Sequence, residues 1–229
     1  MTARLAGFFW MLTIVTGGAA MVLLQKIVVS GNAAATAANV TAHSDTIRMG
    51  VAANLIATVC YIAATVFVYE IFALINRRIS LLAAFFSLLG CAGSTLGFFL
   101  NLAPIVILGN SQAVTAIAPE QLQAIAFLLL RLRSQVEIIS FAFFGLHCLL
   151  VGWVIVRATV MPRLVGALLM FGGLGWLTYS LANLLSPTFA RALFPYILAP
   201  GMLGETALTV WLLAMGVKPH TPLRTEYAS

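Results

Sequence analysis

The sequence predicts an all-α membrane protein, a polytopic helical bundle of about six transmembrane helices with one interfacial or re-entrant helix. Three observations predict it. Of 229 residues, 62% are hydrophobic and 8% charged, whereas a soluble domain carries about 45–50% apolar and about 25% charged residues. So few charges do not clothe a water-facing surface. The apolar residues form continuous runs rather than alternating with polar ones, and in hydrocarbon only helices and closed barrels satisfy their own backbone hydrogen bonds. Most of these runs reach the roughly 20 residues that a helix needs to cross a bilayer core of about 30 Å.

The first span is expected over Leu5–Leu24. Arg4 before an apolar run also fits a signal peptide, but an uncharged run of 20 residues exceeds the usual core of about 7–15, so a retained span is expected. Span two covers Met49–Ile75 and is interrupted by Glu70. Span three runs over Ile79–Leu108, long enough to tilt, and Pro104 is placed to bend or end it. Ser30–Arg48 and Asn110–Gln135 read as loops. Within the second, Gln121–Arg133 is too short to cross, and reads as an interfacial helix, a re-entrant helix or the beginning of a long fourth helix. Span four covers Val136–Val156. Span five covers Leu164–Leu185, opened by Pro162. Span six covers Pro200–Val217 or starts nearer Ala192. One membrane domain, 1–218, precedes a short tail, 219–229.

Charge sets the orientation. The net charge of +6 is carried mainly at the ends of apolar runs, where basic residues mark the cytoplasmic side. Arg4, Arg77, Arg78, Arg157, Arg163, Lys218 and Arg224 fall on one side; Lys26, Arg48, Arg131, Arg133 and Arg191 fall on the other. Both termini are therefore expected in the cytoplasm of a cell whose plasma membrane holds the protein. The arginines are dispersed and form no extended basic face with stacking aromatics, so no nucleic-acid partner is expected. The partners expected are the lipid bilayer and, through glycine-rich helix faces, a homo- or hetero-oligomer. Gly93 and Gly97 form a literal GxxxG, Gly145 and Gly152 share one face of span four, and Gly166 and Gly173 share one of span five.

Chemistry-bearing patterns are few. Cys60, Cys91 and Cys148 lie inside apolar runs with no metal-ligand spacing, as buried small hydrophobes do. No HExxH or GxSxG occurs, and Ser140 is two helical turns, about 10 Å, from His147. No catalytic residue, metal or cofactor is expected. Asn39-Val40-Thr41 formally matches a glycosylation acceptor. RRISLLAAFFSLLG and PRLVGALLMFGGLG echo one another, either as the remnant of a hairpin repeat or as two solutions to the same turn.

Ionisable groups within spans are costly and therefore candidates for function. Glu70 is placed to pair with Arg77 or Arg157, or to snorkel. Glu205 lies beyond the midplane, either favoured by the first turn of span six or serving as a buried carboxylate for a proton, cation or ligand. His147 lies at a similar depth, where a His–Glu pair or a hydrogen bond to a neighbouring helix is open to it. Lys26, Asn54, Asn101, Arg131, Arg133, Glu137 and Asn183 share the outer depth, and Arg133 and Glu137 are spaced to pair on one helix face. They outline an outward-facing polar cavity with Glu205 at its base; an ordinary interfacial rim is the alternative. The ligand-binding candidates are Glu205, His147, Glu137, Arg131, Arg133, Asn101 and Asn183.

The run FAFFGLHCLLVGWVIVRATVMPRLVGALLMFGGLGW, the run GETALTVWLLAMGVK and the opening RLAGFFWMLTIVTGG resemble the DUF4386 family of bacterial integral membrane proteins over about Arg4 to Lys218. The resemblance implies a multi-span membrane protein and brings no catalytic residues with it. Three function classes follow: a small-ligand or ion binding or transport protein using the cavity, a structural or regulatory subunit acting through a partner, and, with least in the sequence to support it, an intramembrane enzyme.

Overall fold

The longest helical stretch, α3 (Ser44–Gly109), would extend about 99 Å if straight, three times the thickness of a bilayer core. It is instead broken at Asn76, whose backbone is extended (φ −148°, ψ 93°). The Asn76 side chain accepts a hydrogen bond from the Ile79 backbone N–H at 3.1 Å, capping the second half as asparagine does at helix starts. The halves, 44–75 and 77–109, lie side by side. Thr65 and Ser87, each eleven residues from Asn76, share a hydroxyl–hydroxyl hydrogen bond of 2.6 Å. Arg77 and Arg78 form the tip of this hairpin.

In this computed structural model, which describes residues 1–109, 117–158 and 160–217, the remaining elements are α1 (Thr2–Leu24), α2 (Ala33–Ala42), α4 (Pro119–Arg157), α5 (Arg163–Leu185), α6 (Pro187–Leu193), a 3₁₀ turn (Tyr196–Leu198) and α7 (Ala199–Ala214). No strand occurs among the described residues. The molecule is an all-α membrane helical bundle. Among the described residues five helices are long and apolar enough to cross a membrane, and the Asn76 break gives α3 two segments of that length. Lys218, Arg224 and the tail 219–229 lie outside the described residues, as does 110–116.

Three expectations are corrected. Ser30–Arg48 is helical over most of its length. Asn32 accepts from the Ala35 N–H at 2.9 Å to start α2, and α3 begins at Ser44. Gln121–Arg133 is neither a separate interfacial nor a re-entrant helix but the opening turns of the 39-residue α4. No glycine or proline interrupts 120–144, and the Gln121 side chain accepts from the Ala118 N–H at 3.3 Å, fixing the start. Pro104 does not end α3, which continues to Gly109; a bundle tolerates proline where neighbouring groups satisfy the backbone.

The long helices close a ring. α1 packs on α3, α3 on α4, α4 on α5, α5 on α7, and α7 back on α1. Glycines set the α4–α5 seam. A Cβ at Gly145 would stand 2.7 Å from the Gly173 carbonyl oxygen, and one at Gly152 would stand 2.6 Å from that of Gly166. Seven residues forward on α4 thus match seven back on α5, the register of an antiparallel pair at backbone contact. Gly93 of the GxxxG faces Ser140 on α4.

Two apolar clusters fill the ends of the ring. Ala6, Phe72, Ile155, Val165 and Leu212 belong to the larger one, against which Ala3, Ile75, Ile79 and Val217 pack near the arginine-bearing turns. Ile27, Val40, Ile47, Phe98 and Leu130 form the other, under α2. Large apolar side chains cover the outside, among them Leu55, Val59 and Val66 on α3 and Phe171, Leu174 and Leu181 on α5, whereas Thr65, Ser87, Ser140 and His147 face inward. Polar groups inside and hydrocarbon outside is the arrangement for a lipid solvent.

Candidate functional site

Between the two clusters lies a cavity of about 190 Å³, lined by side chains of five helices. Glu205 stands on α7 seven residues into the helix, past its first turn, which holds no acidic residue. The expected role of the helix start is therefore not what holds it. Its carboxyl oxygens instead accept two indole N–H groups, from Trp176 on α5 at 3.0 Å and from Trp10 on α1 at 3.3 Å. A tryptophan offers one donor and no acceptor, so each indole is committed to this carboxyl group. Glu205 thereby ties α1 and α5 to α7.

Rings surround the carboxyl group. Tyr61, Phe141, Phe144 and Trp176 line the cavity with it; Phe141 and Trp176 lie 4.8 Å apart, and Tyr61 and Phe144 meet edge to face at 5.1 Å. Glu137 and Asn54 contribute polar groups to the same wall. Arg133 reaches Glu137 at 3.9 Å, the i,i+4 ion pair on α4.

Of the seven candidates, the structure brings Glu205 and Glu137 to one cavity, with Arg133 joined to it through Glu137. Asn101 and Arg133 line a separate narrow space of about 20 Å³ beneath Ile27 and Ile47. Asn183 donates to the Tyr179 carbonyl on its own helix at 2.8 Å, and Arg131 is exposed. His147 does not bond Glu205. Its Nδ1 is 2.9 Å from the Ala83 carbonyl oxygen, and Trp10, bonded to Glu205, has its ring 5.9 Å from the imidazole. Glu70 is exposed on the outer face, and the expected pairing with Arg77 or Arg157 does not form. Arg157 lies over the Trp153 ring at 5.4 Å. Asn39 of the glycosylation-like triplet donates to the Lys26 and Ile27 carbonyls, joining α2 to the end of α1.

Sequence reasoning missed Trp10, Trp176, Tyr61, Phe141 and Phe144. One signal was available. A buried indole N–H needs an acceptor, and few side-chain acceptors lie within the apolar runs.

Comparison with curated proteins and with solved structures finds no match. One family model, described as a domain of unknown function (DUF4386), matches residues 5–216 and so takes in every residue of the cavity. The match spans nearly the whole chain, from the first apolar helix to the last, and the chain belongs to the DUF4386 family.

Proposed function

We propose that this chain is a multi-pass protein of a bacterial inner membrane that binds a small organic cation in the cavity, with Glu205 as its charged anchor. The observation that carries this reading is the cavity lining. Among the described residues, its side chains of carboxylate type are Glu205 and Glu137, and no lysine, arginine or histidine lines it. The rings of Tyr61, Phe141, Phe144 and Trp176 stand around the carboxyl group. A carboxylate beside aromatic faces is what an ammonium group seeks, because ring quadrupoles attract cations, by about 2 kcal/mol or more where water is excluded. At about 190 Å³ the cavity is smaller than the roughly 300–1,000 Å³ of sites for drug-sized ligands, so the ligand has few heavy atoms. Among the described residues no group of three or more His, Cys, Asp or Glu is placed to hold a metal, which favours an organic ion over a transition metal.

The arginine-bearing end, with Arg4, Arg77, Arg78, Arg157 and Arg163, faces the cytoplasm in this reading. The cavity then lies towards the opposite side. The test uses the full chain in lipid nanodiscs and reads tryptophan fluorescence, since Trp10 and Trp176 touch Glu205. Tetramethylammonium is expected to give a saturable change that acetate does not. Glu205→Gln is expected to weaken it at least tenfold, whereas Glu70→Gln, on the outer face, leaves it unaltered. Equal responses to cation and anion, or no saturable response in the unsubstituted protein, overturn the reading.

A further inference from the structure

The α3 hairpin sets two hydroxyl groups at one level of the cation cavity. Its register is fixed by Thr65 and Ser87, bonded at 2.6 Å. About two helical turns lead from Thr65 to Thr58 and from Ser87 to Ser94, both away from the Arg77–Arg78 tip. Thr58 and Ser94 therefore stand level on the two halves, and both line the cavity. The same register sets Tyr61, whose ring lines the cavity with Glu205, level with Cys91. The hydroxyl level lies about 4.5 Å along the helix from the Tyr61 level. The two hydroxyls differ in what they have left to offer. Thr58 Oγ donates its hydrogen to the Asn54 carbonyl at 3.0 Å and keeps lone pairs for a donor. Ser94 is 9% exposed. Its hydroxyl bonds no protein group among the described residues and is not closed off from the space it lines.

We propose that the cation is a methylated amino alcohol, with a quaternary ammonium head among the rings at Glu205 and a hydroxyl one helical turn away at Thr58 and Ser94. The inference rests on the cation reading of the same cavity and adds a second functional group to the ligand. The head follows from Glu205. Both of its oxygens already accept an indole N–H, and a quaternary ammonium, having no N–H, asks for no further acceptor there. Aromatic faces are the usual surroundings of such a group. The tail follows from the hydroxyl level. An alcohol donates one hydrogen and accepts another, which matches the lone pairs of Thr58 and the free hydrogen of Ser94. A carboxylate or phosphate tail finds no lysine, arginine or histidine in the lining among the described residues. A wholly apolar tail would cover the Ser94 hydroxyl and leave it unsatisfied, which is costly for a buried polar group.

The test titrates the full chain in lipid nanodiscs with choline, with propyltrimethylammonium, in which a methyl group replaces the hydroxyl, and with tetramethylammonium, again by tryptophan fluorescence. Choline is expected to bind about five- to tenfold more tightly than propyltrimethylammonium, the weight of one or two neutral hydrogen bonds. Ser94→Ala and Thr58→Val each delete one hydroxyl without adding bulk. Both are expected to bring that ratio towards unity while leaving tetramethylammonium affinity unaltered, whereas Glu205→Gln weakens all three ligands. Equal binding of choline and propyltrimethylammonium by the parent, or a choline preference that survives both substitutions, overturns the amino alcohol and leaves the cation site standing. No saturable response to any of the three ligands overturns the cation reading and this inference with it.

Discussion

At the scale of single residues, the interior depends on how one carboxyl group is satisfied. Glu205 takes one N–H from Trp10 and one from Trp176, and hydrogen bonds to charged groups contribute about 1.5–3 kcal/mol each. Trp176→Phe keeps the ring and deletes the donor, so a loss of about 1.5–3 kcal/mol is expected in an SDS titration of the protein in mixed micelles. Adding Glu205→Leu together with Trp10→Phe should recover part of that loss, because removing the carboxyl group and both of its donors leaves nothing unsatisfied. A Trp176→Phe protein as stable as the parent contradicts this account. Glu205 was legible in the sequence, since a carboxylate within an apolar run stands out by itself. Its partners were not, because Trp10 is 195 residues away and Trp176 is 29 away. Periodicity relates near neighbours on one helix and carries nothing about which helices meet. Arg133–Glu137 was legible for that same reason, being one helical turn apart.

Helices follow two local rules here, one at their ends and one at their seams. Asn76 ends one half of α3 and caps the next. Asn76→Ala removes the cap and favours a continuous helix, at an expected cost of about 1 kcal/mol by the same titration. At the α4–α5 seam, Gly145→Val places a branched side chain against the Gly173 carbonyl oxygen; overpacking of this kind costs about 1–3 kcal/mol. Gly18 on α1 meets nothing within 4 Å, so Gly18→Ala should be neutral or stabilising by about 0.5–1 kcal/mol. If both glycine variants behave alike, backbone contact is not what holds the seam. Apolar runs revealed the long helices well, since hydropathy marks what hydrocarbon accepts. They left Ser30–Arg48 wrongly read as a loop and Gln121–Arg133 open between a separate short helix and the beginning of a long fourth one. α2 is rich in alanine and threonine rather than strongly apolar, and α4 is longer than one bilayer crossing, so its polar opening turns resembled a loop.

For the whole molecule, the outer surface and the sidedness of the turns are accessible to one experiment. Cys60, Cys91 and Cys148 are all buried, which leaves a low background for labelling. An Ala34→Cys variant places a thiol on exposed α2, and Arg78→Cys places one at the α3 tip. With the arginine turns cytoplasmic, a membrane-impermeant maleimide should label Ala34→Cys in intact spheroplasts, and Arg78→Cys only after permeabilisation. The reverse pattern inverts the proposed orientation and leaves the bundle itself unchanged.

The ring of helices closes where α7 meets α1, and that closure has a bearing on biogenesis. A ribosome adding about 5–20 residues per second takes about 10–40 s to travel from Trp10 to Glu205. Throughout that interval the indole of Trp10 has no carboxylate to meet, while the α3 hairpin and the α4–α5 seam need only neighbouring segments to assemble. The nascent protein therefore waits as an open crescent in the translocon's vicinity, and a ribosome stalled before Glu205 yields a product whose central chamber has never been sealed.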